Sequence, residues 1–162
     1  MKLNTILVPL DGSALAEAAL SKAVELAQDS GARLLLLRAA QAHTVPGTDP
    51  TEAQVKVVDE AEAYLARVKE RLAAEGVKEV ETSVWYGPAA TAVVEAASLY
   101  HADLIVMTTH GRSGFGRLIL GSVAESVLRG TTTPILLLRA AEAPVERPGG
   151  QALTSQPAGR IR

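Results

Sequence analysis

The chain has 162 residues, 16 Lys+Arg against 18 Asp+Glu for a formal net charge of -2, and no cysteine. That length suits one domain with a sizeable core, and the lack of cysteine excludes disulfides, zinc–thiolate sites and thiol catalysis. Balanced charge gives no general electrostatic reason to expect nucleic acid or an acidic membrane as partner. No apolar run approaches the length of a membrane span. Met1-Lys2-Leu3-Asn4 enters a strand without a signal-peptide core, so the expected location is the cytoplasm.

Thr5 to Leu10 is a short apolar run closed by Asp11-Gly12-Ser13. Pro9 suits the end of a strand better than its middle. Ser13 is placed to cap a helix with Glu17 in its first turn, Leu20, Val24 and Ala27 repeat at helical spacing, and Gly31 ends it. The run Leu34-Leu35-Leu36-Leu37 reads as a parallel strand covered on both faces. Ala40 to Asp49 is a loop. Asp49-Pro50-Thr51-Glu52 is a strong helix start, with Val58, Ala61, Leu65, Val68 and Leu72 on one face and Gly76 as the stop. From Val80 to Trp85 polarity alternates, the mark of a strand exposed on one side at a sheet edge. Gly87-Pro88 turns the chain into an Ala-rich helix ending near Tyr100, and Leu104 to Met107 is the next buried strand. Ser122 to Arg129 reads as a helix ended by Gly130, and Pro134 to Leu138 as a last apolar strand. Residues 1–140 thus form one α/β domain. Residues 141–162, rich in Ala, Pro, Gly, Gln and Arg, carry no periodicity and are expected to be a disordered tail.

Alternation of strand and helix predicts a doubly wound, five-stranded parallel sheet with right-handed crossovers and helices on both faces. With the polar third strand at one edge, winding runs outward from the first strand, and the fourth and fifth must lie on its other side. The order is then 3-2-1-4-5. Ligands in such sheets sit beyond the carboxyl ends of strands where the winding reverses, here between strands one and four. Asp11 follows strand one. The stretch His110-Gly111-Arg112-Ser113-Gly114-Phe115-Gly116-Arg117-Leu118-Ile119-Leu120-Gly121-Ser122 follows strand four. Its glycines let main-chain amides crowd an anion, and the helix starting at Ser122 points further N–H groups the same way. The loop is therefore read as a cradle for the phosphates of a nucleotide.

Two better-known phosphate motifs do not fit. Gly111 and Gly116 have Walker A spacing, but Arg117 and Leu118 stand where Lys and a magnesium-binding Ser/Thr belong. The fingerprint G-x-G-x-x-G is absent from the loop, and the first turn offers only Asp11-Gly12-Ser13, which disfavours a dinucleotide-binding dehydrogenase.

Pro9-Leu10-Asp11-Gly12-Ser13 after a strand, His110-Gly111-Arg112-Ser113-Gly114, and Gly121-Ser122-Val123-Ala124-Glu125 together resemble the universal stress protein family, over residues 3 to about 139. The ATP-binding branch of that family carries Gly-x-x-Gly, nine residues, then Gly-Ser or Gly-Thr. Gly111, the nine residues Arg112 to Leu120, and Gly121-Ser122 match, whereas Thr108 replaces the first glycine. A branched side chain there is expected to narrow the ribose site, although its carbonyl stays available. The resemblance implies ATP or AMP as ligand, with magnesium or manganese held through the phosphates. Asp11, beside Pro9, would accept the ribose hydroxyls, and the backbone near Ala39 would meet the adenine. Met107 and Thr108 would line the ribose, and Gly111, Gly121, Ser122 and Val123 would bind phosphate. Arg112 and Arg117 either reach terminal phosphates or are solvated loop charges; Arg112 is counted with the site.

Blander roles compete for the same residues. Asp11 can orient its turn or cap the first helix, and Ser122-Val123-Ala124-Glu125 is also a capping box. His110 is expected to anchor the loop, since no second His or Cys lies near it in sequence. His43 and His101 show no ligand spacing, Asp103 lies at the far end of the sheet as a structural residue, and no residue is assigned as catalytic or as a metal ligand. Ile135 to Leu138 is an apolar edge strand that a second copy could cover, which agrees with the homodimer usual in the family. The leading reading is a nucleotide-dependent regulatory dimer. The alternatives are a dimeric interaction module that has lost nucleotide binding and, last for want of a base or nucleophile, a slow ATPase.

Overall fold

The computed structural model describes residues 2–42, 46–47, 49–109 and 120–139. Five strands, β1 (Thr5–Pro9), β2 (Arg33–Ala40), β3 (Val80–Tyr86), β4 (Leu104–Thr109) and β5 (Ile135–Arg139), alternate with four helices, α1 (Ala14–Ser30), α2 (Pro50–Ala74), α3 (Ala89–Leu99) and α4 (Ser122–Gly130). The strands are parallel, in the order β3-β2-β1-β4-β5, as the alternation predicts. The tail expected over 141–162 lies outside the described residues.

Helix boundaries follow local chemistry. Ser13 caps α1 by accepting the Ala16 N–H at 3.1 Å, and Gly31 closes it in the left-handed conformation at φ 74°. Asp49 caps α2 by accepting the Thr51 N–H at 2.7 Å, with Pro50 opening the first turn; such caps stabilise by about 1 kcal/mol each. The loop before α2 is pinned to it by Gln54, which accepts the Ala42 N–H at 3.1 Å and donates to the Ala40 carbonyl at 3.3 Å.

Strand parity sorts the core into two layers. Ile6, Val8, Leu34, Leu36, Leu104 and Val106 face α1 and α2, where they meet Leu20, Leu65, Val68 and Leu72. Leu7, Leu35, Leu37, Ile105 and Met107 face α3 and α4, where they meet Val93, Ala96, Ala97, Ala124 and Val127. Leu34 to Leu37 are all buried, and each contributes roughly 1.5–3 kcal/mol of apolar burial as an upper estimate. α1 buries mostly alanines (Ala16, Ala19, Ala23 and Ala27 beside Leu20), which lets it lie close to the sheet. β2 and β3 run in register from Leu34–Val80 to Ala40–Tyr86. β1 and β4 pair at Ile6–Leu104 and Leu7–Ile105 and then part. No helix among the described residues is long and apolar enough to cross a membrane.

At the amino edge of the sheet, Asp103 accepts the main-chain N–H of Asn4 at 2.7 Å and of Thr5 at 3.0 Å. These bonds, the Asn4 amide first, hold its carboxyl below the ordinary aspartate value. This is the structural role expected of it.

Candidate functional site

The carboxyl edge is built differently. Beyond the point where β1 and β4 part lies a cleft lined by Pro9, Leu10 and Asp11 after β1, Leu37, Arg38 and Ala39 of β2, and Met107 and Thr108 of β4; Ala16, Ala89, Val93, Val123 and Ala124 close it from the helices. It sits at the reversal of winding, the position expected for a ligand in an open α/β sheet. Six of the sequence-predicted residues line it: Pro9, Asp11, Ala39, Met107, Thr108 and Val123. Gly121 and Ser122 stand one and two positions before Val123, at the start of α4. Gly111 and Arg112, with His110 and Arg117, fall outside the described residues, as does His43.

Asp11 is exposed and accepts the Ser13 N–H at 2.8 Å, an Asx turn that orients the chain into α1. The turn role and a place on the cleft therefore coexist in one carboxylate. Gly12 follows at φ 86°, where a side chain is strained. A β-carbon there would lie 3.5 Å from both terminal nitrogens of Arg38.

Thr108 has strand parity with Val106, toward α1. Its hydroxyl donates to the Leu15 carbonyl at 3.0 Å, tying β4 to the first turn of α1. The hydroxyl of this non-glycine residue is thus engaged with the helix backbone.

The capping box expected at Ser122 does not form. Gly121 occupies the cap position with extended ψ 149°, Ser122 is already the first helical residue, and no side chain caps the helix. The box pattern misleads by one position, because the glycine already supplies the extended conformation the cap needs. Its physical result is a helix start whose amides are not capped by a side chain, beside Val123 in the cleft wall.

Nothing in the sequence marks Arg38, which follows the apolar run Leu34 to Leu37. Its guanidinium carbon lies 4.9 Å from the centre of the Tyr64 ring. Tyr64, on the buried face of α2, donates its hydroxyl to Glu17 Oε1 at 2.8 Å, and Arg71 bonds the other carboxylate oxygen. Burial alone would raise the Glu17 carboxyl, but the Tyr64 and Arg71 hydrogen bonds and the Arg71 charge hold it below the ordinary glutamate value. Burial and the Glu17 carboxylate push the Tyr64 hydroxyl upward, so it persists as a donor. Asp11 and Arg38 are the charged side chains among the described residues that line the cleft. Among those residues no cluster of His, Asp or Glu could hold a metal ion.

Comparison with known proteins agrees with this architecture. Residues 2–139 match the Universal stress protein family. A Staphylococcus aureus (strain USA300) protein described as a universal stress protein is 34% identical over 146 residues, 88% of each chain. Among solved structures, a universal stress family protein from Burkholderia pseudomallei is 33% identical, with a TM-score of 0.70 over 86% of this chain and 98% of that one. UspA from Lactobacillus plantarum is 26% identical, with a TM-score of 0.73 over 86% and 99%. A universal stress protein solved in complex with cAMP is 26% identical, with a TM-score of 0.68 over 85% and 98%. With its sheet order, its cleft and these relatives in agreement, the chain belongs to the universal stress protein family.

Proposed function

We propose that the cleft between β1 and β4 binds an adenine nucleotide, ATP or AMP, and that the chain works as a nucleotide-dependent regulatory homodimer in the cytoplasm. The observation that carries this is the convergence of Pro9, Asp11, Ala39, Met107, Thr108 and Val123 on one cleft at the winding reversal. The apolar side chains Ala39, Ala89, Val93 and Met107 suit the faces of a purine. The exposed Asp11 carboxylate suits ribose hydroxyls, as a charge-assisted acceptor. The start of α4, with Gly121, Ser122 and Val123 and no side-chain cap, suits phosphate; Gly111 and Arg112, expected to contact phosphate too, lie outside the described residues. Magnesium or manganese would be carried by the phosphates. The relative solved with cAMP supports adenine as the base.

The bond from Thr108 to Leu15 favours this reading over an interaction module without nucleotide, because it directs the Thr108 hydroxyl to α1. Regulation is favoured over catalysis: among the described cleft residues, Asp11 is the carboxylate, and it already holds a turn. For the dimer, the outer edge of β5 is the surface expected to pair, since Ile135 to Leu138 are only partly buried; light scattering should give twice the chain mass.

The test is to denature the purified protein, identify any released nucleotide by chromatography, and titrate the emptied protein with AMP and magnesium-ATP. Nucleotide near one per chain, or saturable binding, is the expected result; neither would leave the interaction module as the reading. Gly121→Val should weaken binding by about a hundredfold or more, because its Cβ branches would occupy phosphate space and keep the phosphate from its charge-assisted amide bonds. Its φ of -56° accepts a side chain, so the fold should remain. Phosphate released at a steady rate and abolished in Asp11→Ala would instead establish a slow ATPase.

A further inference from the structure

We propose that Arg38 reads a second phosphate, carried on the ribose of the bound adenine nucleotide. The inference rests on the nucleotide reading of the cleft and specifies which nucleotides it prefers. On β2, Leu34 and Leu36 point into the α1/α2 core, and Arg38 continues that parity past the end of the core to the cleft. Two groups neighbour its guanidinium at the cleft. One is the Tyr64 ring, 4.9 Å from the guanidinium carbon. The other is Gly12, where an added β-carbon would stand 3.5 Å from both terminal nitrogens, in ordinary van der Waals contact. Tyr64 is itself held through Glu17 and Arg71. A guanidinium held over an aromatic face keeps its N–H donors, in its own plane, available to a ligand.

The cation therefore stands beside Gly12, the residue that follows Asp11, and shares the cleft lining with Asp11. The start of α4, which would take the 5′-phosphates, follows β4 rather than β2. Elsewhere in nucleotide recognition an acid reads free ribose hydroxyls, and an arginine accommodates a ribose phosphate. Here both line one cleft. One hydroxyl can then donate to Asp11 while a phosphate on its neighbour meets the Arg38 fork, the geometry in which arginine binds phosphate best. The ligand class is an adenosine nucleotide with phosphate at the 5′ position and at the 2′ or 3′ position.

Calorimetric titration of 5′-AMP, adenosine 2′,5′-bisphosphate and adenosine 3′,5′-bisphosphate into the wild-type protein, Arg38→Gln and Arg38→Lys tests this. One bisphosphate should bind wild-type protein about tenfold more tightly than 5′-AMP, the scale of one charge-assisted hydrogen-bond pair. That ratio should fall to about one in Arg38→Gln and to an intermediate value in Arg38→Lys, which keeps the charge without the fork. A wild-type ratio near one, with 5′-AMP still binding, overturns the Arg38 inference alone. So does a ratio that survives in Arg38→Gln, because the cation would then only shape the cleft. Failure of all three ligands to bind wild-type protein overturns the Arg38 inference, and failure of magnesium-ATP to bind as well overturns the nucleotide reading.

Discussion

The two edges of the sheet put the same side chains to different ends. At the amino edge, Asp103 accepts two main-chain amides, and Arg33 reaches Thr5 and Glu81 at 3.0 Å each; the charged groups join strand to strand. At the carboxyl edge, Asp11 accepts the Ser13 amide of its own turn, Arg38 lies over the Tyr64 ring, and both border open space. Residue type does not distinguish Asp11 from Asp103. What distinguishes them is that parallel strands all end on the same side, and only there does the reversal of winding leave a gap for a ligand.

The contrast can be broken first from the middle. Leu35 is buried beneath both edges, and Leu35→Ala should cost about 2–5 kcal/mol in denaturant unfolding, lowering the stability of the whole domain. Binding by the fraction still folded should be unchanged. Next, Asp11→Ala should weaken nucleotide binding about tenfold or more with little effect on the melting temperature. Its mirror, Asp103→Ala, should leave affinity intact and cost about 1 kcal/mol, below the usual range for charged hydrogen bonds because solvent screens the site. An affinity loss in Asp103→Ala equal to that in Asp11→Ala would erase the distinction between the edges. The smallest effect concerns pH. Because Asp103 titrates below its ordinary value when folded, its contribution is fully present above the unfolded pKa of about 3.9 and is lost as pH falls through the folded value. Asp103→Asn should accordingly flatten the stability curve below about pH 4 while leaving the rest of the profile in place.

The strand order was legible because its signals are local or combinatorial: the four-leucine run of a doubly covered strand, the polar alternation of β3, the Asp49-Pro50 start of α2. Asp11 was legible for the same reason, since its place after β1 follows from the order alone. Arg38 was not, because its setting depends on Tyr64, a residue on another element that the helical stripe of α2 left unremarked. The Ser122 capping box matched a pattern of residue types, but the pattern cannot say whether the glycine before it has already taken the cap. For Thr108 the sequence records a branched side chain but not the Leu15 carbonyl that its hydroxyl meets, although strand parity with Val106 carries the clue.

The short pairing of β1 with β4 has a mechanical consequence. Between β2 and β3 the sheet is laced along the whole length of both strands; between β1 and β4 it is joined only near its amino edge, like a zip left half open. A load applied across the strands would concentrate at the last closed tooth, Leu7–Ile105, in the floor of the gap. A molecule lodged above that tooth, gripped by the turn after β1 on one side and the start of α4 on the other, would act as a clasp. Its presence or absence would set how stiffly the two halves of the sheet ride together.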